Sequence, residues 1–596
     1  MKTKFICLSV MLLLAGCIQD TELIEPSNET GSFGASEIHT RSLDGVVYNA
    51  VTDVWMIPQP DPYTLDNFQK TYDNIVANKS SETFTEALAA EFVAEKKLKP
   101  THYALRIYPK SEDEQWKVET MEDVNVAYIP FNYAQLTHEE VEKVTKTKPA
   151  ANTFTEKSPY TVTHNYTDVT DGGPTGPVTY QLPILYTVWP VDKPLPDELE
   201  YVIDYEVFLP SFQQESAEYL SLDALRVLEN EAVTVALGYA VPILVPATAT
   251  RAPYYVTAYG TMNCYDNVLG QIVPMPNLKL QYQRGSNIVN FQTDSNGGYS
   301  YTISESSPPS PSLIAIGHSA FNIIFQDPAG KWKITTPNST NPYTFTTDIM
   351  LALPGVPAGS YDNEYVLPAN SYNVNEIHRA VNYFYRNQTV FPKYYPSGGT
   401  RIIAHDVSGR SNYSSSNHYI NIYGYGRTSG DVVGSALHEL GHLVHDLNDQ
   451  YPLYYTHTFL YESFACYASW YLGHEYYKSL GWVSPYPSYD ITTRNARQAW
   501  EKIDAMGNTG QGEYSPLFVD LTDNYNQGTN NTYRPNDNIQ GVLPSVVWSI
   551  ASTSYTWTQC RAKLLSYAGT GTGKYYTTAQ FNEWIAAFDN WVNLYY

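Results

Sequence analysis

Apolar and polar residues recur along this chain with two different periods, and the switches between them divide it into regions. Tyr63 to Asn78 and Thr83 to Lys97 carry apolar residues such as Phe84, Leu88 and Phe92 at helical spacing against a charged opposite face, which predicts two helices. Tyr103 to Tyr108 and Val124 to Ile129 alternate in steps of two and are rich in β-branched and aromatic residues, as half-buried strands are. Ser221 to Tyr239 returns to the helical period. From Tyr255 to about Thr346 the pattern becomes a run of short strands broken by Gly, Asn and Pro, predicting a β-sandwich. Asn373 to Arg386 is again helical, with Ile377, Ala380, Val381 and Phe384 on one face. Two strands follow, Arg401 to His405 and an edge-like His418 to Tyr423. After them comes a helix over 431–447 striped by Val433, Leu437, Leu440, Val444 and Leu447. Helices over 458–472 and Val542 to Ser552 complete a mostly helical lower lobe, with substrate expected between it and the strands. The expected class is multidomain α+β.

Composition sharpens this. At 596 residues the chain has room for several domains, and 43% hydrophobic residues support real cores. The 36 Lys and Arg against 61 Asp and Glu give a net charge of −25, which opposes phosphate backbones and argues against a nucleic-acid partner. The 53 Tyr suit surfaces that contact peptides or sugars, and equally suit β-rich cores.

The N-terminus has the order of an export signal. Lys2 and Lys4 precede an apolar run from Phe5 to Leu14 that is too short to span a bilayer. The last residues, Leu14-Ala15-Gly16-Cys17, resemble the lipobox of bacterial lipoproteins. That resemblance implies cleavage before Cys17, acylation of Cys17, and anchoring to the bacterial cell envelope through lipid. The early acidic pair Asp20 and Glu22 is similar to the export tag of Bacteroidota-type surface lipoproteins, which implies an outer-membrane, surface-exposed location. An ordinary secretory signal with an incidental Cys is the alternative.

The expected divisions are a signal peptide over 1–17, a polar tether over 18–43, and a mixed α/β region over 44–250 with no assigned role. A β-sandwich follows over 251–355, and a C-terminal domain over 356–596. Val241 to Pro253, rich in Pro, Ala and Thr, marks the second boundary. Within the sandwich, Gly260-Thr261, Pro276-Asn277-Leu278-Lys279-Leu280 and Thr293-Asp294-Ser295-Asn296-Gly297-Gly298-Tyr299 resemble the carboxypeptidase-regulatory-like, transthyretin-fold modules. The resemblance implies a spacer or docking platform rather than a catalyst.

The chemistry lies in His438-Glu439-Leu440-Gly441-His442. Two His four apart stand one turn apart on one helical face, so both imidazoles reach one zinc ion. Glu439 is free to take a proton from a water that the metal has acidified. Catalytic zinc takes three protein ligands and keeps an open position. A metzincin would place its third His at 448, where this chain has Asn448. His445 and Glu462 compete for the place. His445 lies a further turn along the same straight helix, where convergence on one ion is poor. Glu462 comes from the separate stretch Leu460-Tyr461-Glu462-Ser463-Phe464-Ala465-Cys466-Tyr467.

HELGH, then about twenty residues, then this Glu is similar to the gluzincin peptidases, thermolysin-like and aminopeptidase-like. The resemblance implies a zincin-like C-terminal domain with His438, His442 and Glu462 as zinc ligands and Glu439 as general base. Two departures are visible. The Asp that often follows the ligand Glu by four is Cys466, and no His occurs after His474 to hold the oxyanion. A Tyr would serve instead, with Tyr514, Tyr525 and Tyr533 as candidates.

After Cys7 leaves with the signal and Cys17 takes the lipid, Cys264, Cys466 and Cys560 remain. No CxxC pair exists, which excludes a thiolate zinc site; a disulfide, if one forms, is favoured between Cys466 and Cys560. The expected activity is hydrolysis of a peptide or protein substrate. Absence of a GxMEN-like amine-binding motif favours an endopeptidase. The alternative from a different class is an inactive surface lipoprotein that binds protein or glycan through a peptidase-like fold. Residues 44–246 could also act as an inhibitory propeptide; no dibasic site is evident near 246–254, and Arg251 is one cleavage candidate.

Overall fold

A computed structural model describes residues 43–596 apart from 79–85, 123, 148–151, 167–175, 213–219, 238–254, 305–319, 348–363, 449–455, 483–516, 523–538 and 596. Cys17, Arg251, the 241–253 boundary and Tyr514, Tyr525 and Tyr533 lie outside the described residues. The chain is a mixed α+β protein with several sheets. Among the described residues no helix is long and apolar enough to cross a membrane.

The first region holds two four-stranded sheets, one of them ordered Tyr201–Val207, His102–Ile107, Leu185–Pro190, Val126–Ala127. The helices Leu65–Asn78 and Leu222–Ala236 pack together beside them, the latter capped by Ser221, whose hydroxyl accepts from the Ala224 N–H. Two expectations are corrected. Over 83–97 the described helix is only Glu86–Glu91. The chain beyond it is captured by the neighbouring helix: the Tyr72 hydroxyl bonds both the N–H and the C=O of Val93, and Gln69 takes the Leu98 N–H. These tertiary bonds replace helical ones, and Glu95 adopts a left-handed φ of 67°. Over 124–129 only Val126–Ala127 pairs as a strand.

Residues 255–367 form two more four-stranded sheets. One is built on the long strand Tyr255–Asp266 and the other on Lys279–Arg284. Met262, Cys264, Leu280, Tyr282, Phe321 and Ile323 share a single core between them. Pairing crosses position 355 in both directions: Glu364–Leu367 runs parallel to Tyr255–Asp266, while Trp332–Thr335 runs parallel to Thr400–His405. The buried apolar cluster accordingly extends without a break from Met262 to Phe588.

The sheet that carries the site is ordered Trp332–Thr335, Thr400–His405, Tyr419–Tyr423, Asn412–Ser414. Tyr419–Tyr423 was expected to be an edge strand, yet it lies inside, parallel to Thr400–His405 and antiparallel to Asn412–Ser414. The short hairpin strand Asn412–Ser414 is therefore the edge among the described residues. It is too short and polar to be recognised by alternation, and only its hairpin with Tyr419–Tyr423 places it.

Candidate metal centre

The HELGH segment lies in the helix Ser429–Asp446. Thr428 caps its start: the Thr428 hydroxyl accepts from the Asp431 N–H and the Asp431 carboxylate accepts from the Thr428 N–H, a reciprocal box that satisfies two otherwise orphaned donors. Val432, Val433, Ala436, Leu437, Leu440, Leu443 and Val444 are all buried, so the apolar stripe is held on several sides. It packs on the edge hairpin and on the helix Thr458–Ser479, which carries Glu462. That second helix buries residues almost all round, from Phe459 to Tyr477, and is a central element of the core.

Gly441 lets the two helices meet. A Cβ there would stand 3.0 Å from Ala465 Cα and 3.1 Å from Ala468 Cβ, tighter than packed carbon atoms allow without a shift. Two small Ala residues on one helix thus face a Gly on the other, and the close crossing brings Glu462 beside the two His.

The result is a compact trio. His438 Nε2 and His442 Nε2 are 3.1 Å apart, and Glu462 Oε2 lies 3.3 Å from the first and 3.4 Å from the second. The ligand-type atoms of the three all lie within 4.8 Å of one another, and no other group of three or more among the described residues does this. His442 and Glu462 are buried and His438 is half-buried. Among the described residues Glu462 Oε2 has no hydrogen-bond partner beyond these rings. Burial alone would raise the Glu462 carboxyl, but His442 and His438 hold it well below the usual carboxylate range.

Glu439 is buried beside them. Burial pushes its carboxyl up to about 7, opposed by His438, assisted by the Glu462 charge, and opposed further by Arg410 and the nearby Tyr413 backbone. His442 packs edge-on against Tyr461 at 5.4 Å. His438 Nδ1 faces Cys466 Sγ at 3.6 Å.

His445 stands outside the trio. Its ring is fully buried, edge-on to Phe464 at 5.6 Å and to Trp548 at 6.5 Å. Burial, with the neighbouring His442, pushes it down to about 4, so it is a neutral packing group. Among the described residues Cys264, Cys466 and Cys560 are each free and buried, so the Cys466–Cys560 pairing that the sequence left open does not form. Cys466 faces His438 instead. Sequence reasoning missed Tyr413 and Arg410, whose only signal was their place just before a predicted strand. No protein-family model and no curated protein sequence matches the chain.

Proposed function

We propose that this chain is a zinc metallopeptidase that hydrolyses peptide bonds, with a gluzincin-like site, borne on a lipoprotein anchored through Cys17. The observation that carries the reading is the convergence of two imidazole nitrogens and one carboxylate oxygen on a single point, with a second buried carboxylate alongside. Edges of 3.1, 3.3 and 3.4 Å are close to the roughly 3.3 Å expected between ligands of a tetrahedral zinc with bonds of about 2.0–2.1 Å. Two imidazoles and a carboxylate are a donor set suited to zinc, and three protein ligands leave a place for water or substrate.

When bound there, a zinc ion supplies Lewis acidity, polarising a carbonyl and lowering the pKa of water to about 7. His438, His442 and Glu462 hold it, and none of them is needed for proton transfer. Glu439 adjoins the trio without belonging to it. Its carboxylate accepts a proton from the attacking water and returns it to the leaving amine. The strand Asn412–Ser414, which packs on the helix of Glu439 and among the described residues pairs with a strand on one side only, is where an extended peptide can add by main-chain hydrogen bonds. This replaces the expected docking edge at 418–423.

The test is direct. Protein purified without chelator is assayed for zinc and for cleavage of a mixed peptide library. About one zinc per chain and metal-dependent cleavage are expected. Zinc without cleavage would favour the binding-lipoprotein reading, and failure to take up zinc on titration would end the metallopeptidase one.

A further inference from the structure

The two helices that supply the trio run antiparallel. Gly441 of the Ser429–Asp446 helix faces Ala465 and Ala468, while further toward its start the Gly434 carbonyl accepts from the Ser469 hydroxyl at 2.8 Å. The start of the first helix therefore lies beside the end of the second, about 14 Å along the axis from His438. There, one turn of the β-sandwich meets both of them and a third helix, Val374–Asn382.

The turn follows the strand Tyr255–Asp266. Asp266 is fully buried, and its Oδ1 accepts from the Val268 and Leu269 N–H groups at 2.9 and 3.0 Å, which shapes the turn. Its Oδ2 faces the helices: Arg379 Nη1 donates to it at 2.8 Å and the Tyr477 hydroxyl at 3.3 Å. The same Arg379 Nη1 reaches the Tyr476 hydroxyl at 3.2 Å. The next residue, Asn267, is exposed, yet it holds Ser429 twice. Its side-chain oxygen accepts from the Ser429 N–H at 2.8 Å, and its own N–H donates to Ser429 Oγ at 3.3 Å. That hydroxyl donates onward to Glu376 Oε1 at 3.1 Å.

The first N–H groups of a helix have no partner within it. In the Ser429–Asp446 helix, Thr428 serves the Asp431 N–H from within the segment, whereas the Ser429 N–H is served by Asn267, 162 residues away in the chain. A helix start satisfied from another sheet is pinned to that sheet. Asp266 pins the end of the companion helix to the same turn. Its pair with Arg379 is wholly inside, with side chains 0% and 1% exposed. Buried ion pairs contribute little net stability beyond apolar packing, but their directional bonds admit few arrangements of the groups they join.

We propose that the sandwich turn Asp266–Leu269 is a positioning element for the metal centre: it ties the start of the His438–His442 helix to the end of the Glu462 helix, and so fixes the crossing at which the trio forms. The sandwich is then a working part of the site and not a spacer. The tie rests on geometry alone, and its consequence for the metal rests on the zinc reading above.

The test compares the full-length chain with Asn267→Ala, Asn267→Asp and Asp266→Asn. Amide hydrogen exchange is read over 429–433 and 475–479, and zinc affinity by competition with a chromophoric chelator. Asn267 lies at the surface, so Asn267→Ala opens no cavity; it should quicken exchange over 429–433 about tenfold and weaken zinc about threefold. Asn267→Asp keeps the acceptor and should restore both to within about twofold. Asp266→Asn removes the charge that Arg379 meets; it should quicken exchange over both segments and weaken zinc about tenfold. Unchanged exchange in Asn267→Ala, or no rescue by Asn267→Asp, would overturn the tie. Quickened exchange with unaltered zinc affinity would overturn the positioning of the metal centre. Should Asp266→Asn fail to fold, the two Asn267 variants decide. If the unaltered chain takes up no zinc, the proposed function falls, and the exchange results alone uphold or overturn the tie.

Discussion

Two buried polar clusters lie on the sheet of the C-terminal block, and they are built on opposite rules. At the first, the helix Glu112–Glu119 of the N-terminal region docks on the strands Trp332–Thr335, Thr400–His405 and Tyr419–Tyr423. Lys333 Nζ meets Glu119 Oε2 at 3.0 Å, both nearly inaccessible at 4% and 1% exposure. Arg401 meets Glu112 Oε1 at 2.7 Å, and Tyr419 donates to the same carboxylate. Each charge there has an opposite charge, which is the condition under which buried ions are tolerated. At the second, two imidazoles and a carboxylate stand within 3.1–3.4 Å of one another, and among the described residues Glu462 Oε2 has no hydrogen-bond partner beyond the two rings. Burial of charge is common to both. Completeness of pairing separates them: the seam matches each charge with an opposite one, and the trio sets two imidazoles around one carboxylate with a second buried carboxylate, Glu439, alongside.

This contrast yields ordered expectations. The largest concerns Glu439→Gln, which should keep zinc and thermal stability while cleavage falls by about 10³-fold or more, since the amide accepts no proton. Turnover within tenfold of the unaltered chain would remove Glu439 from the mechanism. Next, Lys333→Met leaves Glu119 buried without its partner and should cost about 3–5 kcal/mol in denaturant unfolding. The paired change Lys333→Met with Glu119→Leu should recover most of that loss, and zinc content should not respond to either. A loss of zinc in these variants would show that the two clusters are coupled.

The third expectation separates ligand from packing. Glu462→Ala should lose most of its zinc, measured by metal analysis after gel filtration. His445→Ala should keep zinc and activity within about tenfold, while losing about 2–4 kcal/mol of stability through the cavity it leaves. Loss of zinc in His445→Ala alone would exchange their roles. The smallest effect is expected for Gly441→Ala. Its methyl must push the Glu462 helix away, costing about 1–3 kcal/mol and weakening zinc binding without abolishing it. Unaltered zinc affinity in this variant would show that the Ala465 and Ala468 contacts do not set the site.

Much of the trio was legible because it rests on local rules. His438 and His442 share a face in any helix, and the apolar stripe announces that helix, while the Thr428–Asp431 box that starts it emerged only in the structure. The helix at Asn373 was equally plain, because Ile377, Ala380, Val381 and Phe384 repeat at its period; its last turn, Tyr383–Asn387, widens to a π-helix that periodicity does not encode. The errors share a cause. Thr83 to Lys97 has a helical pattern throughout, but the hydroxyl of Tyr72, distant in sequence, takes the backbone groups of Val93. The 418–423 strand, expected at an edge, is flanked by the hairpin strand Asn412–Ser414, whose pairing its own period does not record.

What the sequence by itself determined is the chemistry of each element: which face of the Ser429–Asp446 helix is apolar, which carries the imidazoles, and that a carboxylate stands ready on another helix. These follow from spacing within one segment, where 3.6 residues per turn places each side chain relative to its neighbours. Only the tertiary structure decided how those elements meet. It set Gly441 against Ala465 so that Glu462 reaches the His pair, turned His445 into the aromatic core, and made Asn412–Ser414 the edge in place of Tyr419–Tyr423. Helix crossings and strand order are settled by contacts between residues far apart in the chain, and the period of a single segment carries no record of its partners.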